Sequence, residues 1–169
     1  MVETNIKTNS MKAWLLAARP KTLSGAAVPV MIGLALAYSD SKFYVDDAFN
    51  WIAAALCMLF SFAMQIDANF INDFYDFVNG TDDVETRLGP RRACAQGWVT
   101  LDAMKKAIAL TTCLACVIGL PLALYGGLEM IAIGALCVVF AFLYTTFFSY
   151  QGLGDVLHIV GTVEGGITG

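Results

Sequence analysis

Charge is scarce in this chain: 14% of its 169 residues are Asp, Glu, Lys or Arg, against 58% hydrophobic. A soluble globular domain is roughly 25% charged, so too little charge is present to cover a water-facing surface, and a membrane protein is expected. Histidine is nearly absent, and lone His158 makes no credible metal ligand without neighbours. Cysteine is sparse too. Cys57, Cys113, Cys116 and Cys137 sit inside apolar runs, and only Cys94 lies in a polar stretch, which argues against a disulfide framework. Cys113 and Cys116 have the spacing of a redox or metal pair, but no second pair or polar flank accompanies them; they read as small, soft packing residues. The first twenty residues lack a short apolar core followed by a small-residue cleavage site. No secretory signal peptide is expected, and insertion through the first spanning helix is.

Long apolar runs are what the chain has instead. A helix needs roughly 20 apolar residues to span a bilayer, and four runs qualify: 22–38, 49–77, 103–125 and 130–150. Pro29 falls in the first, and Pro121 predicts a kink near the end of the third. Gly126-Gly127 reads as a tight connection, 39–47 as an acidic one, and Asn79 to Asp102 as a long charged loop. Thr100 is placed to cap the third span, with Asp102 in its first turn.

The basic residues orient the spans. Lys7, Lys12, Arg19 and Lys21 precede the first, while Arg87, Arg91, Arg92, Lys105 and Lys106 cluster around the loop between the second and third. Two crossings put both groups on one side, and Lys42 falls on the other. The positive-inside rule then predicts a cytoplasmic N-terminus and a cytoplasmic long loop. The expected division is an N-terminal arm, 1–21, followed by transmembrane sequence from 22 to 169.

The second run changes character toward its end. Gln65, Asn69, Asn72 and Asp76 recur four, three and four apart, with Asp73 beside them, which places them on one helix face. Ile66, Phe70, Ile71, Phe74 and Phe77 fill the other positions. Ionisable groups at membrane depth are costly and usually face a bundle interior or a wet cavity. Adjacent carboxylates repel unless a cation sits between them or one holds a proton. Oxygen-only donors at this spacing suit Mg2+, which takes one or two carboxylates plus substrate phosphate oxygens. The competing reading is a helix end that merely straddles the interface. Asp82, Asp83, Arg87, Arg91 and Arg92 follow within the loop, and guanidinium groups grip phosphate bidentately. Together the two groups describe a diphosphate site at the membrane face. A cation transporter, the third reading, leaves the arginines unexplained.

Asn72-Asp73-Phe74-Tyr75-Asp76 resembles the first Asp-rich motif of the UbiA-type intramembrane prenyltransferases. The acid at Asp82 rather than at position 80, the run Arg87-Leu88-Gly89-Pro90-Arg91-Arg92 and Ala95-Gln96-Gly97 resemble the menaquinone-branch 1,4-dihydroxy-2-naphthoate polyprenyltransferases. Arg19-Pro20-Lys21-Thr22-Leu23, Tyr144-Thr145-Thr146 and Gly152-Leu153-Gly154-Asp155 are similar to further family segments. The resemblance implies an all-α transmembrane bundle of nine helices, of which this chain holds four complete spans and a broken fifth. It implies transfer of a polyprenyl group from its diphosphate to 1,4-dihydroxy-2-naphthoate with loss of CO2, in menaquinone biosynthesis at the inner membrane. Asp73, Asp76 and Asp82 would hold Mg2+. Asn69, Asn72, Lys21, Arg87, Arg91 and Arg92 would bind substrate, and Phe70, Phe74, Tyr75 and Tyr144 would offer cation-stabilising faces. Membrane lipid is the expected surrounding, and no nucleic-acid partner is expected.

The family also carries a second Asp-rich motif, which this sequence does not reach. Phe147-Phe148-Ser149 stands where a Gly-Pro-containing stretch is expected, and residues 158–169 are Gly-rich and short for a fifth span. The chain is therefore expected to be an N-terminal portion, inactive alone. Its alternatives are a non-catalytic membrane protein and a prenyltransferase for another aromatic acceptor.

Overall fold

The computed structural model describes residues 6–43, 49–80 and 92–143; all its regular elements there are helical. They are α1 (Met11–Ala18), α2 (Leu23–Phe43), α3 (Trp51–Val78), α4 (Leu101–Gly119), α5 (Ala123–Gly126) and α6 (Leu128–Leu143). Short 3-10 turns at Pro20–Thr22 and Leu120–Leu122 join α1 to α2 and α4 to α5. Three stretches are long and apolar enough to cross a membrane, namely Met11–Ser41, Trp51–Val78 and Leu101–Gly126, and Leu128–Leu143 is a shorter apolar helix. These match the four expected runs closely. Tyr144 to Tyr150, the rest of the fourth, and the tail beyond lie outside the described residues.

Local chemistry sets the boundaries. Asn50 caps α3 by accepting from the Ile52 and Ala53 amides at 3.0 Å each. Thr100 caps α4 by accepting from the Ala103 amide at 3.4 Å, as its position predicts. Such caps contribute on the order of 1 kcal/mol each. Pro121 lies in the 3-10 turn that interrupts the α-helix of the third span, and Gly127, between α5 and α6, takes a positive φ of 73°. Two expectations change. The segment read as an arm contains α1, begun by Ser10 accepting from the Ala13 amide. The connection after the first span starts later than expected, because α2 continues to Phe43. The Ser41 hydroxyl satisfies itself on the Tyr38 carbonyl at 2.8 Å, which lets a polar residue stay helical.

α3 is the hub, packed against α1, α2, α4 and α6. Large apolar side chains elsewhere point outward: Met31 and Ile32 are each 58% exposed and Val117 is 68% exposed. That is the distribution expected where lipid is the solvent. Tyr38, Phe49 and Trp51 cluster at one end, with ring centroids 4.9 to 6.1 Å apart, in the manner of an interfacial aromatic belt. The enclosed core lies at the opposite end. There Ala13 and Ala17 of α1, Phe70 and Ile71 of α3, Ala93, Cys94 and Val99 of the loop, and Met104 and Ile108 of α4 pack together.

The N-terminal segment is tied to this end. The Asn9 amide donates to the Trp98 carbonyl at 2.8 Å, and the Asn9 side chain accepts from the Thr100 amide at 3.2 Å. Among the described residues, the N-terminal segment around Asn9 and the end of the loop at Trp98–Thr100 therefore meet at one end of the bundle.

Candidate functional site

With 28 residues, α3 is roughly 42 Å long at about 1.5 Å per residue. That exceeds a hydrocarbon thickness of roughly 30 Å, so α3 is longer than a single crossing requires. The stripe expected on this helix is engaged in two directions.

Toward the α1–α2 elbow, Asn69 donates to the Ala18 carbonyl and to the Thr22 hydroxyl oxygen, both at 2.9 Å, and Gln65 reaches the same hydroxyl at 3.4 Å. Thr22 in turn donates to the Arg19 carbonyl at 2.9 Å. Arg19 adopts a left-handed φ of 50°, a conformation costly for a residue with a Cβ. Pro20 disfavours the right-handed helix for the residue before it, and the Asn69 staple beside it fixes the elbow. The sequence pointed to Lys21 as a substrate contact, but Lys21 is exposed, whereas the Arg19 Nε and Nη2 atoms are buried. Arg19 is thus the half-buried cation of the elbow and Lys21 its exposed one.

Toward the loop, Asp73 is fully buried and accepts from the Ala93 amide at 2.8 Å and the Cys94 amide at 3.0 Å, one on each carboxylate oxygen. Those amides open a compact turn, closed by Gln96 donating to Arg92 at 3.1 Å and Trp98 donating to Ala93 at 2.8 Å. The turn presents Arg92, whose guanidinium pairs with Asp76 in a largely buried ion pair. Burial, and secondarily the negative charge of Asp73, push the Cys94 thiol up to about 12. Asn72 is half-buried between these groups along the helix.

The structure therefore pairs Asp76 with Arg92 and ties Asp73 to the same turn, while Asn69, one turn earlier on α3, engages the elbow. Asp82, Arg87, Arg91 and Tyr144 lie outside the described residues. Among the described residues, no three acidic, histidine or cysteine side chains stand close enough to hold a metal. Both Asp73 oxygens accept backbone amides and Asp76 pairs with Arg92, so these acidic oxygens are engaged within the protein. Hard carboxylate oxygen is nonetheless the donor type that Mg2+ takes beside phosphate oxygens.

Two expected aromatic faces are already used. Phe70 packs edge-on to Trp14 at 5.7 Å within the core, and the Lys105 ammonium lies 5.6 Å over the Phe74 ring. A second polar feature escaped the sequence reading. Asp67, fully buried, receives the Thr111 hydroxyl on one oxygen and the Thr112 hydroxyl, at 2.8 Å, on the other.

Comparison with known proteins identifies the family. The family described as "UbiA prenyltransferase family" matches residues 26–167. The chain is 32% identical over 166 residues to the 1,4-dihydroxy-2-naphthoate octaprenyltransferase of Escherichia coli (strain K12), covering 93% of this chain and 52% of that protein. The Mycobacterium tuberculosis (strain ATCC 25618 / H37Rv) protein of the same name is 33% identical over 150 residues, covering 87% and 49%. The Haemophilus influenzae (strain ATCC 51907 / DSM 11121 / KW20 / Rd) one is 31% identical over 159 residues, covering 89% and 50%. The chain spans about half the length of these curated relatives. No solved structure matches it.

Proposed function

Because this chain belongs to the UbiA prenyltransferase family, we propose that it forms the first half of an enzyme that moves a polyprenyl group from its diphosphate to 1,4-dihydroxy-2-naphthoate. The observation that supports this reading most is that Asp73 and Asp76, on the polar C-terminal turns of α3, both engage the turn that carries Arg92. Its relatives, named as octaprenyltransferases of that acceptor, support the same chemistry. The N-terminal segment and the loop from Asn79 to Asp102 are proposed to face the cytoplasm, since they hold most of the basic residues and Asn9 bonds to Trp98.

In this reading Asp73, Asp76 and Asp82 form the acidic set. Asp76 and Asp82 offer oxygens to Mg2+, Asn72 adds an amide oxygen, and Asp73 holds the turn that presents Arg92. Mg2+, when bound, neutralises charge on the diphosphate as it leaves. Arg92, with Arg87, Arg91 and Lys21, grips diphosphate oxygens or the acceptor carboxylate. The allylic carbon–oxygen bond breaks with its electron pair going to the diphosphate. The electron-rich naphthoate ring then bonds to the allylic carbon and releases its carboxyl group as CO2. Donors already fixed by Asp73 and the Arg92 turn stabilise the leaving charge without reorganisation.

The test is transfer in lipid nanodiscs with octaprenyl diphosphate, the naphthoate and Mg2+. A polypeptide of the relatives' length that contains these residues is expected to turn over. An extended chain that consumes the diphosphate only by hydrolysis, whichever aromatic acceptor is offered, contradicts the reading.

A further inference from the structure

Asp67 is a fully buried carboxylic side chain that the proposed chemistry leaves unused. Nine residues separate it from Asp76, which at 3.6 residues per turn sets the two about 180° apart around α3. Asp67 thus lies behind the Asn69–Asp76 stripe, against α4, where its two oxygens meet Thr111 and Thr112. Its neighbour one turn on, Ile71, is fully buried and apolar. Apolar packing alone tolerates several rotations of one helix against another, because hydrocarbon surfaces carry little directional preference. A carboxylate held from both oxygens tolerates only one. Polar groups inside membrane bundles serve this registering role at modest net stability.

We infer that Asp67, Thr111 and Thr112 form a rotational lock that aims the polar stripe of α3 at the elbow and the Arg92 turn. Asp67 is then a positioning residue. Its importance for catalysis rests on the proposed function, but the geometry it fixes can be read without any activity.

Two substitutions separate aiming from simple stabilisation. Asp67→Asn preserves the lock: its amide oxygen accepts from Thr112, and its NH2 donates to the Thr111 oxygen. The Thr111 hydrogen then turns to the Ala107 carbonyl, 2.9 Å away. The triple variant Asp67→Leu/Thr111→Val/Thr112→Val removes the lock without leaving a buried group unsatisfied, a replacement that is often nearly neutral for stability.

The readout is disulfide formation between Thr22→Cys and Asn69→Cys, whose native side chains meet at 2.9 Å. It is measured in nanodiscs with Cys57, Cys94, Cys113, Cys116 and Cys137 replaced by Ala. With wild-type Asp67 the pair cross-links fast, and Asp67→Asn stays within about twofold of that rate. The triple variant, with two hydrogen bonds lost, falls by at least about fivefold. A triple variant that cross-links at the parental rate overturns the inference, as does an Asp67→Asn variant as slow as the triple. Should the triple variant fail to insert, Thr112→Val decides: an intermediate rate supports the lock and an unchanged one contradicts it.

Discussion

The Asp76 carboxylate pairs with the Arg92 guanidinium, both side chains almost wholly out of water. Two charges removed from solvent hold each other in place, so the pair costs little while intact and much when halved. Asp76→Ala leaves a buried guanidinium without its main counter-charge and is expected to lower stability by about 3–5 kcal/mol. Asp76→Leu/Arg92→Met, apolar on both sides, recovers most of that loss. Chemical unfolding of both variants in detergent checks the difference. Equal stability of the two contradicts a true pair.

Asp73 works on the backbone rather than on a side chain. Asp73→Ala leaves the Ala93 and Cys94 amides unsatisfied in a buried turn, at about 1–3 kcal/mol for each. Asp73→Asn keeps one acceptor and is expected to lose about half as much. Hydrogen exchange at those two amides should accelerate strongly in Asp73→Ala and less in Asp73→Asn, while amides in the middle of α2 stay unchanged.

Cys94 provides a pH signature. Its folded thiol stands at about 12 against an ordinary 9.0, so the folded state keeps a proton that the unfolded chain gives up. The sign follows: this group's stabilising effect is complete below about pH 9 and fades as pH climbs toward 12. Unfolding midpoints of the intact chain should fall across that window, and Cys94→Ala should flatten the fall. Asp73→Asn, which removes the second cause, should let Cys94 react faster with an alkylating reagent at pH 9.

The share of this arrangement readable from sequence has a physical limit. Apolar runs declare helices because lipid demands them, and Thr100 and Pro121 act on their own neighbours, so the apolar helices, the cap and the interruption at Pro121 were legible. The Asn69–Asp76 stripe was legible because helical period fixes it. Which partner each stripe residue takes depends on contacts distant in sequence: Asp73 reaches amides twenty residues on, and Asn69 reaches back to Ala18 and Thr22. The same distance hid the lock, since nothing near Asp67 names Thr111 and Thr112. Helix α1 went unread because its eight residues are too few to form a periodic pattern.

Asn9 tests the contact between the N-terminal segment and the end of the loop at Trp98–Thr100. Its φ of 56° suits glycine, and its side chain receives the Thr100 amide. Asn9→Ala loses that bond and adds left-handed strain, for about 1–2 kcal/mol. Asn9→Gly loses only the bond. Proteolysis within residues 6–10 should accelerate in the order wild type, Asn9→Gly, Asn9→Ala.

Magnesium-dependent binding of a non-hydrolysable allylic diphosphate analogue, measured by calorimetry on the chain in nanodiscs, is the most direct test of the acidic stripe. The expected result is saturable binding that requires Mg2+ and weakens at least about tenfold, about 1.4 kcal/mol, in both Asp76→Asn and Arg92→Met. Binding that persists without the metal, or is indifferent to both substitutions, would contradict the account.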